Sequence, residues 1–415
     1  MKIADQWLRE ILRALYQRRD MTRSEIIQAT GLNPASVSHA LRHLLAAGTV
    51  VRVGDLQSSG GRKPEVLNLN GEAGYFVGID LEGHRIRFGL ASLIGDIRYR
   101  WEYDLDVGQP LDGDKLFEGI RKVLKSLDAK QMARVLGIGV SYPGLLDPQV
   151  RLTAVNLGWH KFPLLEELRE KVAKHLHAEL PVFLESDRHS CVRAERWLGC
   201  AQQYDNGMYV ISERGIGIGF FLEGRIVEGS RDMAGEIGHW VIDPNAEDKC
   251  NCGKRGCLEA IASSDNIVRQ YVARSARPRS LGGLSIHDIY ERARGGDENA
   301  LAVLTRAGKA WGLALSYTIN LLNPEIIILG GDLISGEDVL VPIIEEEIRR
   351  HALPDLTRDL KIVVSGLGLD IRLKGACSLA FRKSIADPVL LNKMCRPVLT
   401  TRASAKNERL AASLP

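Results

Sequence analysis

Three thiols and an imidazole are the residues whose types and spacing promise chemistry. His239, Cys250, Cys252 and Cys257 follow one another as His-x10-Cys-x-Cys-x4-Cys. Three thiolates and one imidazole complete a tetrahedral donor set, which suits a structural Zn²⁺ and leaves no open position for a substrate. One zinc per chain is expected, with Gly253 and Gly256 letting the backbone wrap the ion closely. Cys191, Cys200, Cys377 and Cys395 stand apart and read as packing residues. Seven cysteines in 415 residues, three of them in one loop, point to a reducing compartment and a metal cluster, not to a disulfide framework.

Such a loop needs a folded body to hold it. A hydrophobic fraction of 45% supports two or three domains with cores. The stretch from Met1 to Tyr16 is amphipathic and carries Arg9, Glu10 and Arg13, so it reads neither as a signal peptide nor as an anchor. No other segment has the apolar length of a membrane span. A cytoplasmic protein with no membrane partner is expected. Residues 1–70 hold 10 Lys and Arg against 6 Asp and Glu, whereas residues 71–415 hold 45 against 46. The positive excess therefore sits in the first segment, where a nucleic-acid partner would want it.

That segment, residues 1–70, reads as a winged helix-turn-helix. Leu8, Ile11, Leu12 and Leu15 recur at helical spacing. Thr22-Arg23-Ser24-Glu25 is a capping box opening a second helix that stops at Gly31. Asn33-Pro34 opens a third, with Asn33 as N-cap and a buried stripe of Val37, Leu41, Leu44 and Leu45. A helix, a short turn with one glycine and a second helix form the helix-turn-helix pattern. The third helix is the expected recognition helix. Ala35, Ser36, Ser38, His39, Arg42 and His43 are read as its exposed face, of which Ser36, Ser38, His39 and Arg42 are assigned to DNA. Two strands, Thr49–Val53 and Glu65–Leu69, flank a Gly- and Ser-rich hairpin that ends in Arg62 and Lys63, the expected wing contacts to the backbone or minor groove. Docking of a protein in place of DNA is the alternative.

From Gly74 onward strands alternate with helices. Tyr75–Asp80, Leu136–Val140, Pro181–Glu185 and Ile326–Gly331 are apolar runs, and Leu164–Leu176 and Ala300–Leu322 are helical, so the body is α/β. The motifs along it come in a telling order: strand-Asp80, Ser141-Tyr142-Pro143-Gly144, Asn156-Leu157-Gly158-Trp159, Glu185-Ser186-Asp187, Gly235-Glu236-Ile237-Gly238-His239, the cysteine cluster, and Asn323-Pro324-Glu325 through Gly330-Gly331. This series resembles the ROK family of bacterial sugar kinases and sugar-linked repressors, over residues 74–381. The resemblance implies an actin/hexokinase-like fold of two α/β lobes with a sugar between them, the winged head being the addition of the repressor branch.

By the same resemblance Asn156, Asp187, Glu236, His239 and Glu259 contact sugar hydroxyls, and Asp187 matches the kinase general base. One nitrogen of His239 would bind zinc and the other would meet the sugar, with Glu259 positioned by the same loop of residues 239–257. Ser186 and His189 stand where kinases usually have asparagines, which leaves the sugar's identity open. The kinases' phosphate loops resemble Asp-x-Gly-Gly-Thr and Gly-Thr-Gly-x-Gly. Here Asp80-Leu81-Glu82-Gly83-His84 and Glu213-Arg214-Gly215-Ile216-Gly217 replace a glycine by glutamate in each, and like charge opposes polyphosphate. The expectation is a sugar-responsive repressor without catalytic residues, a homodimer or homotetramer on an inverted-repeat operator, with a sugar or sugar phosphate as effector. A bifunctional sugar kinase and control by a protein partner are the alternatives. Residues 382–415 form a basic tail with room for a docking helix near Val389–Met394 and no assigned role.

Overall fold

The computed structural model describes residues 3–55, 64–82, 85–105, 111–154, 157–176, 180–230, 232–274 and 283–395. Arg62, Lys63 and Asn156 therefore lie outside the described residues. The chain folds as two compact units: Met1–Gln202 with Leu367–Pro415, and Gln203–Gly366.

The first unit opens with helix α1 (Ile3–Gln17), which buries Leu8, Ile11, Leu12 and Leu15 as their spacing requires. The short strand β1 (Met21–Thr22) leads into α2 (Arg23–Thr30). The capping box forms: the Thr22 hydroxyl accepts from the Glu25 amide at 3.3 Å, and the Glu25 carboxylate accepts from the Thr22 amide at 2.8 Å. Gly31 closes α2 at φ +65°, a left-handed position that only glycine takes cheaply. Asn33 accepts from the Ser36 amide at 2.8 Å and starts α3 (Pro34–Ala47). Strands β2 (Val50–Asp55) and β3 (Glu65–Leu69) pair antiparallel, and β1 joins the far side of β3. At two residues β1 has no period to reveal it in the sequence.

The body of this unit is a five-stranded sheet. β4 (Tyr75–Glu82), β5 (Arg85–Ser92) and β6 (Ile97–Asp104) form an antiparallel meander, and β7 (Val135–Tyr142) runs parallel to β4 on its other side. A small sheet of β8 (Leu145–Leu146), β9 (Leu152–Ala154) and β10 (Trp159–Phe162) precedes helix Leu164–Leu176. β11 (Val182–Ser186) then adds parallel to β7, and helix Asp187–Leu198 follows it. The second unit repeats the plan. β12 (Gly207–Ser212), β13 (Ile216–Leu222) and β14 (Arg225–Ile226) form a meander, and β15 (Ile326–Gly331) and β16 (Lys361–Val364) extend it in parallel from β12. Helices Leu258–Ala262, Ser264–Arg274, Ile286–Arg294, Glu298–Leu322 and Glu337–His351 complete it around a core that includes Trp311 and Tyr290.

Helix Ile371–Ala386 returns the chain to the first unit. It lies so close to the sheet that a Cβ on Gly139 would sit 1.9 Å from the Ala376 carbonyl oxygen, and a Cβ on its own Gly375 would sit 1.9 Å from that of Ser190. The last described helix, Pro388–Met394, is capped by Asp387, whose carboxylate accepts from the Val389 amide at 2.8 Å. Its Leu391 and Met394 enter a core shared by Leu8, Ile11, Leu41 and Leu44 of the head and Phe76, Leu136, Trp197 and Phe381 of the body. Among the described residues no helix is long and apolar enough to cross a membrane.

Backbone cannot yield to a new methyl group as a side chain can. Gly375→Ala should therefore cost about 3 kcal/mol by overpacking. Gly366→Ala, at an exposed site with open space around the added carbon, should stay within about 0.5 kcal/mol of wild type. Thermal unfolding of the two variants side by side checks this.

Candidate nucleic-acid interface and metal centre

The thiol cluster forms in the second unit on a loop folded back on itself. Isolated bridges join Val241 to Cys257 and Lys249 to Arg255. Inside them the Cys250 amide donates to the Lys254 carbonyl at 2.9 Å and the Gly253 amide to the Cys250 carbonyl at 3.0 Å, a tight turn that needs Gly253 at φ +90°. Gly256, at φ +68°, has no room for a side chain against the Asp243 carbonyl. Arg306 of helix Glu298–Leu322 pins the loop through Asp248 (2.5 Å) and also binds Gln270 (2.7 Å).

His239, Cys250 and Cys252 bring ligand atoms within 4.8 Å of one another. His239 Nδ1 lies 3.5 Å from Cys250 Sγ, and Cys252 Sγ lies 3.7 Å from Cys257 Sγ. Two ligands on one tetrahedral zinc are about 3.5–3.8 Å apart, given metal–ligand bonds of about 2.0–2.3 Å. The two contacts thus have the length of two tetrahedron edges, and the donor set fits a metal ion. Without a metal, burial pushes the Cys250 thiol up to about 12, while the Lys254 amide lowers that of Cys252. Burial also raises Cys257.

The acidic neighbours come from the same construction. Gly235 and Gly238 press against the carbonyl oxygens of Ile218 and Ile216 on β13, Ile237 is buried between them, and Glu236 and His239 stay half exposed. His239 turns Nδ1 to Cys250 and Nε2 toward Glu236, 4.0 Å away. Glu259 Oε2 accepts from the Ile216 amide at 3.2 Å, and Oε1 lies 3.9 Å from Cys250 Sγ. Burial holds its carboxyl above the usual range. Glu236, His239 and Glu259 therefore form one group at the thiol loop. Asp187 belongs to the first unit, where it begins helix Asp187–Leu198 and accepts from the Arg188 amide at 2.8 Å. Beside it Ser186 Oγ meets His189 Nδ1 at 2.9 Å, both residues buried.

The two stretches that stand where the kinases have phosphate loops differ from each other. Glu213-Arg214-Gly215 simply turns the β12–β13 hairpin, with the Glu213 amide donating to the Gly215 carbonyl at 3.0 Å. Glu82 is not an uncompensated charge. Its Oε2 lies 2.5 Å from Arg87 and 3.7 Å from Arg372. Asp80 sits 3.1 Å from Arg372 and 3.4 Å from Arg87. Two carboxylates and two guanidiniums cancel in a nearly closed interior, Asp80 being 1% exposed. Arg87 is seven residues past Asp80, across the β4–β5 turn, and Arg372 comes from the distant return helix, so composition gave no sign of the network.

On the head, α3 exposes Ala35, His39, Arg42 and His43 and half-exposes Ser38. Ser36 departs from expectation: it is 5% exposed. It lies one turn ahead of Ala40 and two ahead of Leu44, on the stripe that packs inward, so it cannot reach a base. Arg23 of α2 is an exposed cation that sequence reasoning passed over. Its guanidinium reaches the Ser38 hydroxyl at 3.3 Å, and its place at the start of α2 beside a recognition-helix serine was the available signal. Trp7 meets His39 edge-on at 6.2 Å.

A capped helix-turn-helix with a strand pair behind it, joined to a body of two sheets of one topology, defines a DNA-binding module on a duplicated α/β frame. Residues 5–51 match the winged helix-turn-helix DNA-binding model and residues 76–383 match that of the ROK family. The chain belongs to the ROK family. It is 29% identical to the xylose repressor of Bacillus subtilis (strain 168) over 387 residues, covering 91% of this chain and 97% of that one. It is also 29% identical to the glucokinase of Halalkalibacterium halodurans over 314 residues, 72% of this chain and 93% of that one. Among solved structures, a ROK family transcriptional regulator, homologous to the MLC protein of E. coli, superposes with a TM-score of 0.78 at 28% identity, covering 95% of this chain and 99% of that one.

The network at Asp80 generates a test of its own. Removing one member of a buried charge cluster leaves its partners uncompensated and costs about 3–5 kcal/mol. Arg372→Met should lower stability by that amount, read by denaturant unfolding. Arg358→Met, whose ion pair with Asp355 is exposed on both sides, should change it by less than about 1 kcal/mol.

Proposed function

We propose that the protein is a sugar-responsive transcription repressor: residues 1–70 read DNA and residues 74–381 bind an effector sugar, with no role assigned to the basic tail of residues 382–415. One observation carries this reading, a recognition helix with exposed His39, Arg42 and His43 on a ROK body similar to the xylose repressor along 91% of the chain. Base edges would be met by Ser38, His39 and Arg42. Arg62 and Lys63 would meet phosphate, and Arg23 joins them from α2. Paired heads on an inverted repeat call for a homodimer or homotetramer, and a regulator of this kind works in the cytoplasm. Asn156, Asp187, Glu236, His239 and Glu259 are the proposed sugar contacts. Carboxylates and imidazole suit hydroxyls because each forms charge-assisted hydrogen bonds.

The metal ion would be zinc, held by His239, Cys250, Cys252 and Cys257, and it would supply structure only, since four protein ligands fill its tetrahedron. The body would bind sugar without turning it over. Phosphoryl transfer depends on positioning and electrostatic stabilisation of phosphates by amides, cations and magnesium. Here Asp80 and Glu82 are already neutralised by Arg87 and Arg372, and the other loop is a plain hairpin turn. The kinase is the competing reading, and a glucokinase resembles the body as closely as a repressor does.

Three expectations follow from these assignments. Selection from a random duplex pool should yield a symmetric site. Arg42→Ala should change the preferred sequence, whereas Arg62→Ala with Lys63→Ala should weaken binding broadly and flatten its salt dependence by about two units of slope; unaltered binding in both would refute DNA reading by the head. Elemental analysis should find about one zinc per chain, lost in Cys252→Ala. D-xylose, D-glucose or their phosphates should raise the melting temperature by mass action, less so in Asp187→Asn and Glu236→Gln. Sustained ATP consumption that depends on the sugar and disappears in Asp187→Asn would install the kinase reading instead.

A further inference from the structure

Helix α1 of the head ends on the body, and the contact is aromatic. Tyr16 lies between two rings of the first unit. Its ring stacks on Trp197 at 4.5 Å and 18° and on Phe381 at 4.0 Å and 11°. Its hydroxyl donates to Ser378, three residues before Phe381 on helix Ile371–Ala386. Nearby, Arg9 of α1 donates to the Ile385 carbonyl at 3.2 Å, and Phe76 closes the cluster edge-on to Phe381 at 6.1 Å.

The two rings stand on two helices that meet at the other end near Asp187. Trp197 is in the last turn of helix Asp187–Leu198, about 15 Å along the axis from Asp187 at 1.5 Å per residue. That helix is buried along nearly its whole length, and Arg193 within it pairs with Glu185 at 2.9 and 3.0 Å. It therefore moves as a unit or not at all. Ser190, one turn past Asp187, presses its backbone on Gly375 of the second helix. A tilt of the first helix about that contact would be felt beyond it, in the separation of Trp197 and Phe381. Tyr16 fills that separation. It sits in the last turn of α1, whose buried face packs on the recognition helix α3 through a shared core and whose Trp7 meets His39.

We propose that Tyr16 is the positioning residue through which the sugar end of the body sets the pose of the DNA-binding head. This deepens the repressor reading and rests on it. Occupancy at Asp187 biases the first turn of helix Asp187–Leu198, the paired helices carry the bias to Trp197 and Phe381, and the clamped ring passes it to α1 and thence to α3. Coupling of this kind is reciprocal, so loosening the ring must also loosen the helix that begins at Asp187.

Three variants of the full chain test the relay against a packing defect. Tyr16→Phe keeps both stacks and loses only the bond to Ser378. Tyr16→Leu keeps an apolar side chain but gives up ring volume and both stacks. Leu41→Val trims the head core away from the clamp. Hydrogen exchange without sugar should be faster by about tenfold along 187–198 in Tyr16→Leu, near wild type there in Tyr16→Phe, and unchanged there in Leu41→Val. With D-xylose as probe, Tyr16→Leu should bind the sugar and the selected duplex each within about threefold of wild type. The ratio of duplex Kd with and without sugar should fall to within about twofold of one, and Tyr16→Phe should restore it. Unchanged exchange along 187–198 in Tyr16→Leu, or a wild-type ratio with both bindings intact, overturns the relay. If wild-type protein binds no sugar or no duplex, the repressor reading fails and the relay falls with it, whereas unchanged exchange in Tyr16→Leu overturns the relay and leaves that reading standing.

Discussion

The backbone contact between helix Ile371–Ala386 and its neighbours is what the rest of the first unit depends on. Glycine on one side of each contact lets main chains touch: Gly139 against Ala376, Gly375 against Ser190 and Gly78 against Leu373. A helix held this closely places every side chain it carries with little freedom. Arg372 thereby arrives between Asp80 and Glu82, Ser378 and Phe381 arrive at Tyr16, and the first turn of helix Asp187–Leu198 is fixed from behind. One returning segment thus supplies the ion network, the floor of the head and the support of Asp187.

The head is accordingly not a bead on a string. Its apolar interior runs into Phe76, Leu136, Trp197 and Phe381 and is completed by Leu391 and Met394 from the far end of the chain. The Thr49 hydroxyl donates to the Met394 carbonyl at 2.8 Å, and Lys393 donates to that of Val135 at 3.0 Å, so the last described helix is bonded both to the head and to the first sheet. Burying a lysine costs free energy, and its ammonium pKa is lowered by that burial. The Val135 carbonyl, at the start of β7, offsets part of the cost.

In the second unit the loop of His239 and the three thiols plays the corresponding part. It is short of regular structure: two isolated bridges and a few turn hydrogen bonds tie it to itself, and the Asp248–Arg306 pair and the Trp240–Tyr317 ring contact tie it to the long helix. A bound ion would supply the cross-linking that secondary structure does not, and it would fix the His239 ring so that Nε2 faces Glu236.

The sequence by itself determined whatever depends on local rules. The Thr22–Glu25 box, the Asn33 cap, the glycine stop at 31, the bounds of β3 and of helix Leu164–Leu176, and the ligand spacing of the thiol loop follow from neighbours a few residues apart, and the ordered motifs resemble one family along the body. Tertiary structure alone decided what depends on residues far apart in the chain. Glu82 acquired Arg372 from 290 positions away, and Tyr16 acquired Trp197 and Phe381. The physical reason is the same in each case: short-range propensity records which turn a chain takes, whereas the partner of a buried charge or ring is chosen by the packing of segments that have no sequence neighbourhood in common.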